Sequence, residues 1–203
     1  MARYMITHSL LSSWLYAMKG NPYEDSTTER DAFAEFLSTL RREPSDTTEA
    51  MQNGIDFEDL VTDVLYGRAT QSEPWYNAAA KIAGEIRGCQ IQFKAKKVVQ
   101  IHGMDILLYG RLDALGHGEI TDIKFSKKYE RGKYFDSTQH PMYFELISGA
   151  ELFTYRISNG TEVWHEAYRR EEVRSIIPTV DAFLTWLEVN GLMSVYKEHW
   201  LAA

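Results

Sequence analysis

The sequence predicts an α+β protein: a central mixed β-sheet flanked by helices, with a helical N-terminal region. Three observations predict it: apolar residues recur at helical spacing over most of residues 1–88, alternate with a period of two from residue 90 onward, and return to helical spacing near the C-terminus. Residues 5–18 predict a first helix with Leu10, Leu11, Trp14, Leu15 and Met18 on one face, stopped by Asn21-Pro22. A second helix starts near Ser26-Thr27-Thr28, which supply capping hydroxyls, and carries Phe33, Phe36, Leu37 and Leu40. A third covers 48–66 with an apolar face of Ile55, Phe57, Leu60, Val61, Val64 and Leu65, and a fourth opens at Pro74 and ends around Gly88. Strands follow at 90–101, 104–113 and 119–125. A helix over 137–148 accommodates Pro141 in its first turn, where no backbone donor is needed. The strands 151–158 and 161–169 form a hairpin around Ser158-Asn159-Gly160. A helix from Glu171 to Val189, stopped by Gly191, and a short last helix complete the chain.

At 203 residues the chain suits one well-cored domain over 1–203, with 1–88 mainly helical, 90–169 a sheet core with a crossing helix, and 170–203 C-terminal helices. No apolar run approaches a membrane span. The N-terminus lacks the basic start and small-residue cleavage site of a signal peptide, so a cytoplasmic protein is expected. Cys89 is the sole cysteine, which excludes an internal disulfide, a multi-cysteine zinc site and an iron–sulfur cluster held by the chain's own thiolates. It reads as a small packing residue. A net charge of −7 argues against non-specific coating of nucleic acid, but residues 81–134 hold eleven Lys/Arg against six Asp/Glu. A basic centre on an acidic body suits local contact with a polyanion, and equally a solvated charged surface.

The stretch 110–125, GRLDALGHGEITDIKF, reads as two strands turning at Gly116-His117-Gly118. A turn centred between His117 and Gly118 sets Asp113 opposite Asp122 and Arg111 opposite Lys124, all on one face, with Leu112, Ile123 and Phe125 on the other. Like charges opposed across a sheet are destabilising, and paired carboxylates raise one another's pKa or recruit a cation. Mg²⁺ resolves the conflict, since it takes oxygen ligands from one or two carboxylates plus water and phosphate. Lys124 then stands where an amine would act on a water or offset charge on a phosphate. An exposed hairpin whose acids pair with Arg111 and Lys124 accounts for the same pattern.

Four features in order add to this: Gly54-Ile55-Asp56-Phe57-Glu58, Gly110-Arg111-Leu112-Asp113, Asp122-Ile123-Lys124 and Gln139-His140-Pro141-Met142-Tyr143. The order resembles the PD-(D/E)XK nuclease superfamily, in its RecB-like and phage-exonuclease-like branch. Ser9-Leu10-Leu11-Ser12-Ser13-Trp14 is loosely similar to the serine-containing helix that opens many such chains. The resemblance implies a restriction-endonuclease-like fold and Mg²⁺ (Mn²⁺ substituting) bound by Asp113, Asp122 and the main-chain carbonyl of Ile123. Glu58 would complete that site directly or through water. It implies that Lys124 acts on the attacking water and that Gln139 and Tyr143, on one helical face, position substrate or catalytic groups. Where relatives use cysteines for an iron–sulfur cluster, Asn21-Pro22 and a cysteine-free C-terminus stand here, so no cluster is expected.

The implied activity is a deoxyribonuclease, an exonuclease of phage or bacterial recombination or repair. DNA is the implied partner, a recombination or single-strand-annealing protein a further one, and oligomeric state is open. The alternatives are an inactive DNA-binding or assembly module of the same fold and a carboxylate-pair hydrolase acting on sugars. For nucleic-acid contact the candidates are Arg111, Ser126, Lys127, Lys128, Arg131, Lys133, Gln139 and Tyr143, with Tyr129 and Tyr134 as platforms for frayed bases. His102 and His117 read as turn residues, and His140 as a neighbour of the site outside the metal set.

Overall fold

The computed structural model describes residues 2–19 and 31–202. In chain order the elements are β1 (Arg3–Thr7), α1 (His8–Lys19), α2 (Ala32–Leu40), α3 (Glu49–Leu65), α4 (Tyr76–Glu85), β2 (Gln90–Ile101), β3 (Met104–Gly116) and β4 (Glu119–Phe125). Then come α5 (Gln139–Leu146), β5 (Leu152–Ser158), β6 (Val163–Arg169), α6 (Ile177–Val189), α7 (Met193–His199) and β7 (Leu201–Ala202). The fold is α+β with a central mixed sheet, of seven strands among the described residues. None of the described helices is long and apolar enough to cross a membrane.

The sheet runs β6-β5-β4-β3-β1-β7, with β2 also on β3. β4 and β5 are parallel, as are β1 and β3, and the other pairs are antiparallel. β2 occupies one edge of β3 nearly end to end, from Met104 to Leu115. β1 and β4 therefore share the other edge: β1 pairs Asp105 to Tyr109, and β4 pairs Ala114 to Gly116. Residues 110–113 have no ladder partner there.

Two apolar cores flank the sheet. The larger packs Ile6, Leu10, Leu11, Phe36, Leu40, Phe183, Leu184, Leu187 and Tyr196 from the helices and β1 against Ile106, Leu108, Leu112, Phe153 and Ile157. The smaller packs Phe57, Leu60 and Val61 of α3 and Ala78, Ala79 and Ile82 of α4 against Ala114 and Ile123. Leu112 and Phe93 belong to the first core, whereas Ala114 and Ile91, two residues away on the same strands, belong to the second. Strand alternation would keep each pair on one face. The switch falls at Gln92, whose φ of 55° is left-handed, opposite Asp113.

Several expectations are corrected. Residues 5–7, expected to open the first helix, belong instead to strand β1: Ile6 is buried and its backbone pairs with β3 a hundred residues away, a non-local gain that outweighs local periodicity. The capping hydroxyls at 26–28 lie outside the described residues, and α2 is capped by Asp31, whose side chain accepts from the N–H groups of Phe33 and Ala34 at 3.0 Å. α4 begins after a left-handed Trp75 rather than at Pro74, and α6 begins at Ile177, after a single 3₁₀ turn over 170–172. Ile55, Phe33 and Met18 are exposed, on the outer flanks of their helices. β7 was not expected; it pairs with Arg3 and Tyr4. The β3–β4 register is as predicted, but Leu112 parts from Ile123 and Phe125 because of the face switch.

Trp75 closes the smaller core against Phe57 and Phe125 and abuts Gly160 at the β5–β6 turn. A Cβ on Gly160, whose φ is +95°, would overlap the indole Cδ1 of Trp75. Gly160→Ala is therefore expected to destabilise the fold by about 1–3 kcal/mol, read as a lower urea midpoint at unchanged slope.

Candidate active site

The unpaired stretch 110–113 is the motif Gly110-Arg111-Leu112-Asp113, and the gap opposite it is a cavity of about 330 Å³. Thr7, His8 and Ser9 enter it from the β1–α1 junction, Glu58 from α3, Asp122, Ile123 and Lys124 from β4, and Gln139 and Tyr143 from α5. Tyr109, Gly110, Arg111 and Asp113 form the β3 wall. The Tyr143 hydroxyl donates to the Arg111 carbonyl at 2.9 Å, satisfying backbone that no strand reaches. Its ring lies over Gly110, where an added Cβ would meet Cε1 at 2.5 Å. Glycine is required there by space.

Asp113 and Asp122 lie one step beyond the last ladder pair, Ala114–Thr121. Asp113 turns into the gap, where its Oδ2 accepts from the Ile123 N–H at 2.7 Å. It is 8% exposed and Asp122 3%. Asp122 Oδ1 accepts from the Gln139 side-chain amide, and Lys124 Nζ stands 2.7 Å from Oδ2. That ion pair is the contact Oδ2 makes within the chain, among the described residues. Glu58 reaches the same cavity, with its Oε1 taken by the Gln92 amide.

Burial, followed by the charges of Asp122 and Glu58, pushes the Asp113 carboxyl well above the ordinary range, against the Ile123 N–H and Lys124. For Lys124 burial works the other way, yet Asp122 and then Asp113 hold its ammonium above its usual value. Burial, helped by Lys124, pushes His8 down to about 4.

Among the described residues no three His, Cys, Asp or Glu side chains already converge closely enough to hold an ion. Two carboxylates do meet at the gap, and that donor set fits a hard cation that keeps water or phosphate for its remaining ligands. Glu58 is a cavity wall held by Gln92.

Glu58, Asp113, Asp122, Ile123, Lys124, Gln139, Tyr143 and Arg111 thus share one cavity. The remaining nucleic-acid candidates do not join them. Ser126, Lys127, Lys128 and Lys133 line a second hollow beside the start of α3, where Lys127 pairs with Glu49 at 3.0 Å and Lys133 donates to Ser126 Oγ at 2.7 Å. Arg131 lines a third, with Phe135, Trp164 and Tyr168. Tyr129 and Tyr134 are not free platforms: Tyr129 donates to Glu166 at 2.7 Å, and the Tyr134 ring stacks on Tyr155 with centroids 4.4 Å apart. Glu166 also accepts from the backbone N–H groups of Gly132 and Tyr134 and from the Tyr168 hydroxyl, which pins the loop to β6. Phe135 is the aromatic that this loop exposes, at 72%.

His102 and His117 occupy turns, both with positive φ. His140 is buried, stacked on Tyr168 and bonded to the Tyr155 hydroxyl, and does not line the cavity. Burial pushes it down to about 4. Sequence reasoning missed Gln92, His8 and the Thr7–Ser9 junction. The β-branched pair Ile6-Thr7 before the helix is the one local signal that pointed to that junction; Gln92 had none.

No family model matches the sequence, and no curated protein matches it. Among solved structures, the crystal structure of SSO0001 is similar with a TM-score of 0.50 and 14% identity, over 92% of this chain and 77% of that one. The crystal structure of Scheffersomyces stipitis Rai1 gives a TM-score of 0.37 and 16% identity, over 92% of this chain and 61% of that one. At such identity the SSO0001 match speaks to fold alone, and the Rai1 value carries no argument.

A carboxyl with a raised folded-state pKa binds its proton more tightly folded than unfolded. Its stabilising contribution is present below the unfolded value, about 4, and is lost as pH rises through the folded value. In chelator, Asp113→Asn keeps an acceptor for the Ile123 N–H and removes the charge. It is expected to exceed the unsubstituted protein in stability at pH 8 by on the order of 1 kcal/mol, with the gain vanishing near pH 4. Urea midpoints at the two pH values measure it.

Proposed function

We propose that the protein is a metal-dependent nuclease that hydrolyses DNA phosphodiester bonds, of the PD-(D/E)XK kind, acting as an exonuclease in phage or bacterial recombination or repair. The observation that carries this reading is the meeting of Glu58, Asp113, Asp122 and Lys124, from α3, β3 and β4, in one cavity with Arg111 and Gln139. Asp113, Asp122 and the Ile123 carbonyl would hold Mg²⁺, with Glu58 reached through water. The ion supplies Lewis acidity toward a phosphoryl oxygen and an acidified water. The cytoplasm is the proposed site of action, with a recombination or annealing protein as a further partner.

The chain's own residues have separable tasks. Gln139 holds Asp122 Oδ1, which aims the other oxygen of that carboxylate into the cavity. Lys124 presents ammonium N–H groups toward charge developing on the phosphoryl oxygens. Arg111, exposed at the cavity wall, offers a fork to an adjoining phosphate. Tyr143 closes the floor, and Gly110 leaves room for its ring. A non-cutting DNA-binding module with the same fold is the second reading. It is favoured by one feature: Asp113, Asp122 and Glu58 all have protein donors at one oxygen.

End-labelled DNA incubated with Mg²⁺ or Mn²⁺ separates the two. Cleavage is expected and is abolished by chelator. Asp122→Asn and Lys124→Ala are each expected to lower the rate at least about 10²-fold without loss of fold by circular dichroism. Binding without cleavage, indifferent to Asp122→Asn, would establish the module instead.

A further inference from the structure

The face of β2 and β3 that leads away from the cavity is open and basic. Beyond the switch at Gln92, alternation puts Lys94, Lys96, Val98 and Gln100 on one side of β2, and all four are exposed. The register sets Lys94 beside Arg111 and Lys96 beside Tyr109, and both of these β3 residues line the cavity. Among the described residues none of Lys94, Lys96 and Arg111 has an acidic partner, whereas Arg3, farther along this face, is 3.9 Å from Asp105. The free cations are thus confined to the stretch next to the cavity. Lys97 points the other way, beside Leu108, and pairs with Glu145 of α5 at 2.6 Å.

We propose that Lys94 and Lys96, with Arg111, form a phosphate-binding track on the open sheet face, along which the DNA backbone adjoining the scissile bond lies. This rests on the nuclease reading and adds the path of the substrate to it. Lys94 and Lys96 are two strand residues apart, roughly 6.6–6.8 Å, so they engage successive positions rather than one phosphate. Charge complementarity argues for this occupant: a row of unpaired cations ends at buried carboxylates that fit a metal, a sequence suited to a polyanion and ill suited to an apolar partner. Lysines on a free edge strand also discourage strand addition, but that role would recruit Lys97 equally, and Lys97 is turned away and paired.

The test is binding of labelled single-stranded and duplex DNA in chelator, where cleavage is silent, across a salt series, followed by steady-state cleavage in Mg²⁺. For Lys94→Gln/Lys96→Gln the dissociation constant is expected to rise about tenfold. The slope of log affinity against log salt should shallow by about 1.4 for single strands or 1.8 for duplex. KM should rise with kcat within about twofold, and Lys97→Gln should match wild type. Wild-type binding that is unchanged in the double variant overturns the track and leaves the nuclease reading intact. A wild-type dimer that the double variant converts to monomer overturns it by assigning the face to a second copy. No DNA binding by the wild type overturns both readings.

Discussion

Two strands, β1 and β4, share one edge of β3 without meeting, and the interval of four residues between them is what the candidate site is built from. Backbone polar groups left unpaired in a folded interior are costly, so the interval must be satisfied by side chains. Tyr143 takes the Arg111 carbonyl and Asp113 takes the Ile123 N–H. The hollow exists because the ladder stops, and the carboxylates enter it because one of them replaces a ladder bond.

The interval also explains how an otherwise unfavourable charge arrangement persists. Asp113 and Asp122 are nearly buried beside one another, and burial disfavours the charged form of Asp113. Lys124, the Gln139 amide and the Ile123 N–H offset part of that cost. The offset is incomplete, since the Asp113 carboxyl still stands well above its ordinary range. A site left short of positive charge in this way costs stability, and it is what the proposed cation would relieve.

Around the site, rigidity and openness are distributed unevenly. Glu166 ties down the segment 129–134 through three donors, so the aromatic rings nearest the lysine-rich loop serve the fold. The sheet face beyond Gln92 has the opposite character: among the described residues Lys94 and Lys96 have no acidic partner, and Val98 is 40% exposed. The α5 side of the same strands is packed with Leu108, Leu112 and Ala95. Exposed charge and apolar support therefore fall on opposite faces of one pair of strands.

What the sequence determined by itself was whatever depends on neighbours close along the chain. The α+β class, the hairpin register around His117-Gly118, the turn at Gly160 and the α5 helix with Pro141 in its first turn all follow from local periodicity and turn chemistry. So do Asp113, Asp122 and Lys124, which the hairpin register set on one face; Glu58, Gln139 and Tyr143 came from the resemblance to a nuclease superfamily, and all six line one cavity. Tertiary structure alone decided the rest. Residues 3–7 became a strand because β3 offered them an edge, and Gln92 took a left-handed turn that moved Asp113 off its face and set an amide against Glu58. Arg131 was carried away from Lys127 by a carboxylate on a distant strand. Each of these outcomes is set by pairing or packing between residues far apart in sequence, which no local pattern encodes.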